Sequence, residues 1–207
     1  LYKQAEEKGF TIARGYKDYQ KKAKKADRMI LFQSEEASKK DRGSIPYALD
    51  RSKNDLTLTD ITRAAVNFLT KKQGEKDGFF LMIESAVIDG YGHNNDSEGM
   101  IVEMKEFDCT LRMLVEYVNQ HPETLLVVTA DHETGGLALG AGEYHMNPEL
   151  LACQRMSENE LTSKFRQAFM PPPPPQRRGP RNGQGMAPQQ PQWTPPTWEE
   201  VKEFLRV

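Results

Sequence analysis

The chain has 207 residues, with 28 lysines and arginines against 30 aspartates and glutamates, a net charge of −2 and 37% hydrophobic residues. Balanced charge excludes the broad field that draws a protein onto nucleic acid or an anionic membrane surface, and leaves a small molecule or another protein as the natural partner. No apolar run reaches the ~18 residues of a membrane span and no charged-then-apolar leader opens the chain.

Leu1, Tyr2 and Ala5 already lie on one helical face, so the sequence reads as a piece of a longer polypeptide. Residues 1 to 8 are the end of a helix stopped by Gly9, and Phe10, Thr11, Ile12 and Ala13 form a short strand. Residues 16 to 25 make an exposed helix whose Lys21, Lys22, Lys24 and Lys25 form a solvated face, without the interleaved aromatics of a nucleic-acid surface. Arg28 to Phe32 is a second strand, apolar without alternation, as expected inside a covered sheet.

Residues 33 to 57 are loop-like, with a charged stretch through Lys39, Lys40, Asp41 and Arg42 and then Ile45-Pro46-Tyr47-Ala48-Leu49-Asp50. Thr57 caps a helix over 58 to 72, which Ile61, Ala64, Ala65, Phe68 and Leu69 make amphipathic. The continuous apolar run from Phe79 to Ile83 predicts a central strand, followed by a polar, glycine-containing loop.

From 96 to 120 a long helix turns Ile101, Met104, Phe107, Leu111, Leu114, Val115 and Val118 inward and Glu103, Glu106, Arg112 and Glu116 outward. Cys109 lies in that apolar pattern and reads as a buried thiol rather than half of a disulfide with Cys153. Thr124 to Ala130 is a further apolar strand, closed by Asp131 and His132.

Strand, helix, strand at this spacing is a βαβ crossover. The fold class is therefore α/β, a mainly parallel sheet flanked by helices on both faces. Residues 149 to 169 look helical, 171 to 196 hold most of the 13 prolines and predict an extended insert, and Thr197 with Glu200 forms a capping box for a last helix. The organisation expected is an α/β domain over 1–170, a proline-rich flexible insert over 171–196, and the start of a further helix of the same domain over 197–207.

Ligands of open parallel sheets gather beyond the C-terminal ends of the strands, and two clusters of metal-type residues sit at such ends here. Glu84 closes the run from Phe79, with Asp89 and His93 following; Asp131 and His132 close the run from Thr124. Carboxylates and neutral imidazoles suit Zn²⁺ where thiolates are absent, whereas an all-oxygen ligand such as Glu84 suits Mg²⁺. Taken singly, each has a structural explanation: a polar turn, a helix cap, a rim salt bridge. His121, just before Pro122, is a solvated residue at a helix end, and His145 is a loop residue away from both clusters.

Phe79 through Glu84, Ile88-Asp89, His93-Asn94-Asn95-Asp96, and Val128-Thr129-Ala130-Asp131-His132-Glu133-Thr134-Gly135-Gly136 together resemble alkaline phosphatases, and Pro46-Tyr47-Ala48-Leu49-Asp50-Arg51 is similar to bacterial members. The resemblance implies that Glu84 binds magnesium, Asp89 and His93 a first zinc, and Asp131 and His132 a second. It also implies phosphoric monoester hydrolysis through a serine nucleophile, small phosphate monoesters as substrates, and a periplasmic or otherwise extracytoplasmic location.

The family's nucleophilic serine, a further metal-binding aspartate and a phosphate-binding arginine belong to a segment upstream of Leu1, and its last zinc histidine to one beyond Val207. The expectation is thus a chain that supplies metal ligands, is inactive by itself, and self-associates or forms a homodimer. Gly90 stands where other members carry lysine, histidine or tryptophan, and Ser85 where a glycine is common. Two other readings stay open: a superfamily relative acting as phosphodiesterase, sulfatase or phosphomutase, and a noncatalytic module whose proline-rich stretch binds a polyproline reader.

Overall fold

A computed structural model describes residues 1–37, 45–71, 77–137, 147–170 and 194–206. The charged stretch at 39–42, His145 and the proline-rich stretch from 171 to 193 lie outside the described residues. The chain divides into two compact units, Leu1–Ser157 and Glu158–Val207.

The first unit begins with α1 (Tyr2–Glu7), β1 (Phe10–Arg14), α2 (Tyr16–Lys22) and β2 (Arg28–Phe32). The strands pair in parallel, from Phe10 opposite Arg28 to Arg14 opposite Phe32. Gly9 follows α1 with φ 82°, the left-handed conformation that lets a helix turn directly into a strand. The lysine-rich α2 is not wholly solvated. Its Tyr19 is buried with Ala13 and Ala64, and its hydroxyl donates to the Ala64 carbonyl at 2.7 Å.

Gln33, buried after β2, both donates to the Leu56 carbonyl and accepts from the Leu56 amide at 2.8 Å, pinning the approach to α3 (Leu58–Leu69). Thr57 caps α3 in a full capping box with Asp60, as its sequence predicts. Against α3 lies α5 (Ser97–Gln120), the pair joined by a 2.8 Å bond between the Thr59 and Thr110 hydroxyls.

The α5 helix departs from its periodicity on two faces. Glu103, expected outside, is 6% exposed, while Ile101, Met104 and Val115 are exposed. The helix turns Glu103, Thr110 and Leu114 toward its neighbours, because polar groups with dedicated partners can be buried where an apolar count places them outside. Cys109 also lies exposed rather than buried.

The architecture is α/β, but among the described residues the hydrogen-bonded sheet consists of β1 and β2. Residues 79–84 and 124–127 alternate in burial as strands would, but join no hydrogen-bonded ladder among the described residues. Leu81, Met82 and Ile83 help line an open apolar groove of about 410 Å³ with Met29, Leu31, Ile61 and Phe68. Much of the apolar surface of both segments is nevertheless bare, with Phe80 88%, Met82 77%, Leu125 85% and Val127 71% exposed. An extended run becomes a strand only when its N–H and C=O groups find partners, which composition cannot guarantee.

The polar stretch after Glu84 is not a loop but the helix α4 (Ala86–His93). It ends in a Schellman arrangement: Asn95 takes φ 53°, the Asn95 amide donates to the Gly92 carbonyl and the Asp96 amide to the Tyr91 carbonyl. Asp96 then caps α5 by accepting from the Gly99 amide at 3.1 Å, so one residue closes α4 and opens α5.

Residues 149 to 169 do not form one helix either. A 3-10 helix, Pro148–Cys153, is followed by residues that bond elsewhere: Gln154 donates to Asp96, and Ser157 donates through amide and hydroxyl to Asp50. The second unit holds α6 (Glu158–Phe169) and α7 (Trp198–Leu205), whose Phe165, Phe169 and Phe204 pack ring against ring at 4.8–5.9 Å. Thr197 and Glu200 form the predicted capping box of α7. No helix among the described residues is long and apolar enough to cross a membrane.

Candidate metal centre

On α4, Asp89 and His93 are one turn apart and share a face, which brings Asp89 Oδ1 to 3.2 Å from His93 Nε2. His132, from the turn after residue 130, presents its Nε2 to the same Asp89 oxygen at 3.6 Å. One ligand atom from each of Asp89, His93 and His132 lies within 4.8 Å of the others, and all three side chains are open to solvent.

What lets the 131–136 turn come this close is glycine. A Cβ on Gly92 would stand 2.2 Å from Thr134 Oγ1, and one on Gly135 would stand 2.3 Å from the Gly92 carbonyl oxygen. The turn rests directly on the backbone of α4 between its two ligand positions and its end. Gly136 continues the turn with φ 66° and donates its amide to the Glu133 carboxylate at 2.8 Å. These glycines carry a signal in the sequence, as part of Gly90-Tyr91-Gly92-His93 and Thr134-Gly135-Gly136, but only the approach of the two segments gives it meaning.

The His132 tautomer follows from its neighbours. Nδ1 is hydrogen-bonded to the Glu133 carbonyl, which can only accept, so Nδ1 carries a proton and Nε2 is the nitrogen that faces Asp89. That carbonyl first, and the Asp131 carboxylate second, raise the His132 pKa above the ordinary imidazole value.

The remaining predicted ligands stand apart. Asp131 is 91% exposed, its Oδ2 3.8 Å from His132 Nε2, and Glu84 is exposed at the end of the 79–84 segment outside the cluster. Carboxylates repel one another and hold their hydration unless a cation draws them together. Zinc at ~2.0–2.1 Å from each ligand in a tetrahedron requires ligand atoms ~3.3 Å from one another. The 3.2 Å separation of Asp89 Oδ1 from His93 Nε2 is close to that requirement, so this pair suits zinc.

Around the cluster lies a shell that the sequence alone did not mark. Tyr91, 1% exposed, fills the space under α4, where it crosses Tyr47 ring to edge at 4.5 Å. A Cβ on Gly99 would fall 2.0 Å from the Tyr91 ring, so the first turn of α5 is bare to receive it. Burial, and secondarily the nearby carboxylates of Asp50, Glu103 and Asp96, keep the Tyr91 phenol protonated far above its usual range.

A family profile described as alkaline phosphatase matches residues 17–167. Alkaline phosphatase 3 of Bacillus subtilis is 36% identical over 124 residues, which are 59% of this chain and 26% of that protein. The repressible alkaline phosphatase of Saccharomyces cerevisiae is 39% identical over 132 residues, 58% of this chain and 23% of that one. The crystal structure of the cold-active alkaline phosphatase from a psychrophilic Shewanella species superposes with a TM-score of 0.65 at 28% identity, over 79% of this chain and 38% of the other. The chain thus spans about a quarter of the length of these curated relatives.

Proposed function

The chain belongs to the alkaline phosphatase family, and from that premise we propose that it supplies metal ligands to the site of a phosphoric monoester hydrolase. The observation that carries this reading is the convergence of Asp89, His93 and His132 on one point. Asp89 and His93 are proposed as ligands of a first zinc, Asp131 and His132 of a second, and Glu84 of magnesium. Metal bound there supplies stabilisation of the charge that develops on the entering and leaving oxygens of phosphoryl transfer.

The chain's own residues prepare that site. Asp89 and His93 offer a fixed pair of donors from one helical face, and the Glu133 carbonyl orients the His132 ring. The open face of the cluster leaves room for a phosphate monoester to approach. A serine nucleophile and the remaining ligands are proposed to come from other parts of the parent polypeptide, with residues 79–84 and 124–130 as strands of a wider parallel sheet completed there. The whole enzyme is proposed to act in an extracytoplasmic compartment on small phosphate esters.

The test is zinc and magnesium content by elemental analysis, with zinc titration of the chain against a D131A/H132A variant. Specific zinc that the double variant loses supports the reading; an unaltered titration removes it. Turnover of monoester, diester and sulfate substrates by the parent protein then distinguishes a phosphatase from a phosphodiesterase or sulfatase.

A further inference from the structure

The segment between β2 and α3 is anchored to α5 by a buried acid. Glu103 Oε1 accepts a 2.6 Å hydrogen bond from the Ala48 amide, and one turn further along α5 Glu106 pairs with Arg51 at 2.9 Å. Asp50 of the same segment receives the amide and hydroxyl of Ser157. These bonds set where Tyr47 stands. Its ring crosses Tyr91 at 4.5 Å, and its hydroxyl lies where it would be 3.0 Å from a Cβ on Gly90. Gly90 is the residue after Asp89, within the turn that presents both Asp89 and His93.

The geometry points to Glu103 as a positioning residue for the metal centre: through the Ala48 bond it seats Tyr47 against Gly90 and so fixes the face of α4 that carries Asp89 and His93. Glu103 touches none of the three clustered ligands. Its effect passes through a brace, residues 45–51, which adds to the direct packing of Tyr91 on the first turn of α5. Two observations make α4 dependent on its packing. Ser85 provides no side-chain cap to α4, and two of its eight residues are glycine. A helix so short and so poor in propensity takes its conformation from what packs on it. Gly90 in turn is explained by the brace, because any larger residue there would meet the Tyr47 hydroxyl.

The inference rests on the proposed metal site only for its consequence; the brace itself can be read without metal. Amide hydrogen exchange in the metal-free chain should show residues 86–93 losing protection about tenfold or more in E103L, with α3 and the β1–β2 pair unchanged. E103Q, which keeps an acceptor oxygen for the Ala48 amide, should retain wild-type protection. A second pair of variants leaves the buried acid alone: G90A should loosen 86–93, and Y47F/G90A, in which the opposing hydroxyl is gone, should restore it.

Zinc affinity measured against a chelator should follow the same order, with E103L about tenfold weaker, as for residues that orient a ligand. Unchanged protection of 86–93 in E103L, or a loss spread equally through α3, overturns the brace, as does failure of Y47F to rescue G90A. Wild-type chain that takes up no zinc while 86–93 responds to E103L overturns the metal-site reading and leaves the brace standing.

Discussion

At the scale of single residues, the centre depends on donors and on absent side chains alike. Replacing His93 or His132 by alanine should weaken zinc binding by more than the ~10–100-fold lost when a merely orienting residue is changed, measured by chelator competition. Zinc must displace the proton that the neighbours of His132 favour, so apparent affinity should rise with pH through the imidazole range, and proton release should accompany binding. Equal affinity at pH ~6 and ~8 would exclude the imidazoles as ligands.

Gly92→Ala, which adds a Cβ 2.2 Å from Thr134 Oγ1, should force the 131–136 turn off α4 at a cost of about 1–3 kcal/mol. Urea unfolding gives the cost, and zinc titration shows whether the turn has moved. Glu103 has a separate signature. Burial raises its pKa above the usual 4.5, the Ala48 amide and Arg51 oppose the shift, and Glu106 adds to it. A raised carboxyl pKa stabilises the fold when protonated, fully below the unfolded value, and that contribution disappears as pH rises through the folded one. Stability should therefore decline with rising pH above ~4.5 more steeply in the wild-type chain than in E103Q; parallel profiles would show that Glu103 does not titrate this way.

At the scale of elements, the sequence was most legible where a single periodicity or cap decides the outcome. The strands at 10–13 and 28–32, the caps at Thr57 and Thr197, and the span of α5 all follow from short-range pattern. Thr57→Ala should cost about 1 kcal/mol, read as a lower unfolding midpoint of the first unit, and a change within error would show that the capping box is redundant with packing. Of the five candidate ligands read from the sequence, Asp89, His93 and His132 lie close together.

That Asp89 and His93 lie on a helix was hidden by Gly90 and Gly92, which lower local helix propensity while serving tertiary contact. The burial of Glu103 was hidden because its partner, the Ala48 amide, is 55 residues away and is not a side chain at all. Residues 149 to 169 carry a helical pattern, but Gln154 and Ser157 find better partners in Asp96 and Asp50. Long-range polar contacts are the kind of information that periodicity does not contain.

For the molecule as a whole, the bare faces of residues 80, 82, 125 and 127 dominate behaviour in solution. Segments outside the described sheet with exposed Phe80, Met82, Leu125 and Val127 favour association. Sedimentation of the chain should show concentration-dependent oligomers that F80S/V127S reduces; a monodisperse wild-type monomer would contradict this. The chain should show no turnover of a phosphate monoester, since the clustered residues offer donors and no activated nucleophile. Measurable hydrolysis that survives H93A/H132A would point to a contaminant, and hydrolysis abolished by it would mean that the nucleophile lies within these 207 residues.

The shared junction at Asp96 has a bearing on the order of events in time. With no side-chain cap at its N-terminal end, α4 is held by residue 96 on the other side, by residues 45–51 from more than 30 positions upstream, and by residues 131–136 from nearly 40 downstream. Contacts of such sequence separation close late, after local helices and the β1–β2 pair. The ligand trio is then expected to assemble late in folding, after the β1–β2 pair. Loading with metal would act on an already formed protein, and its speed would be governed by ion supply and access rather than by the chain's collapse.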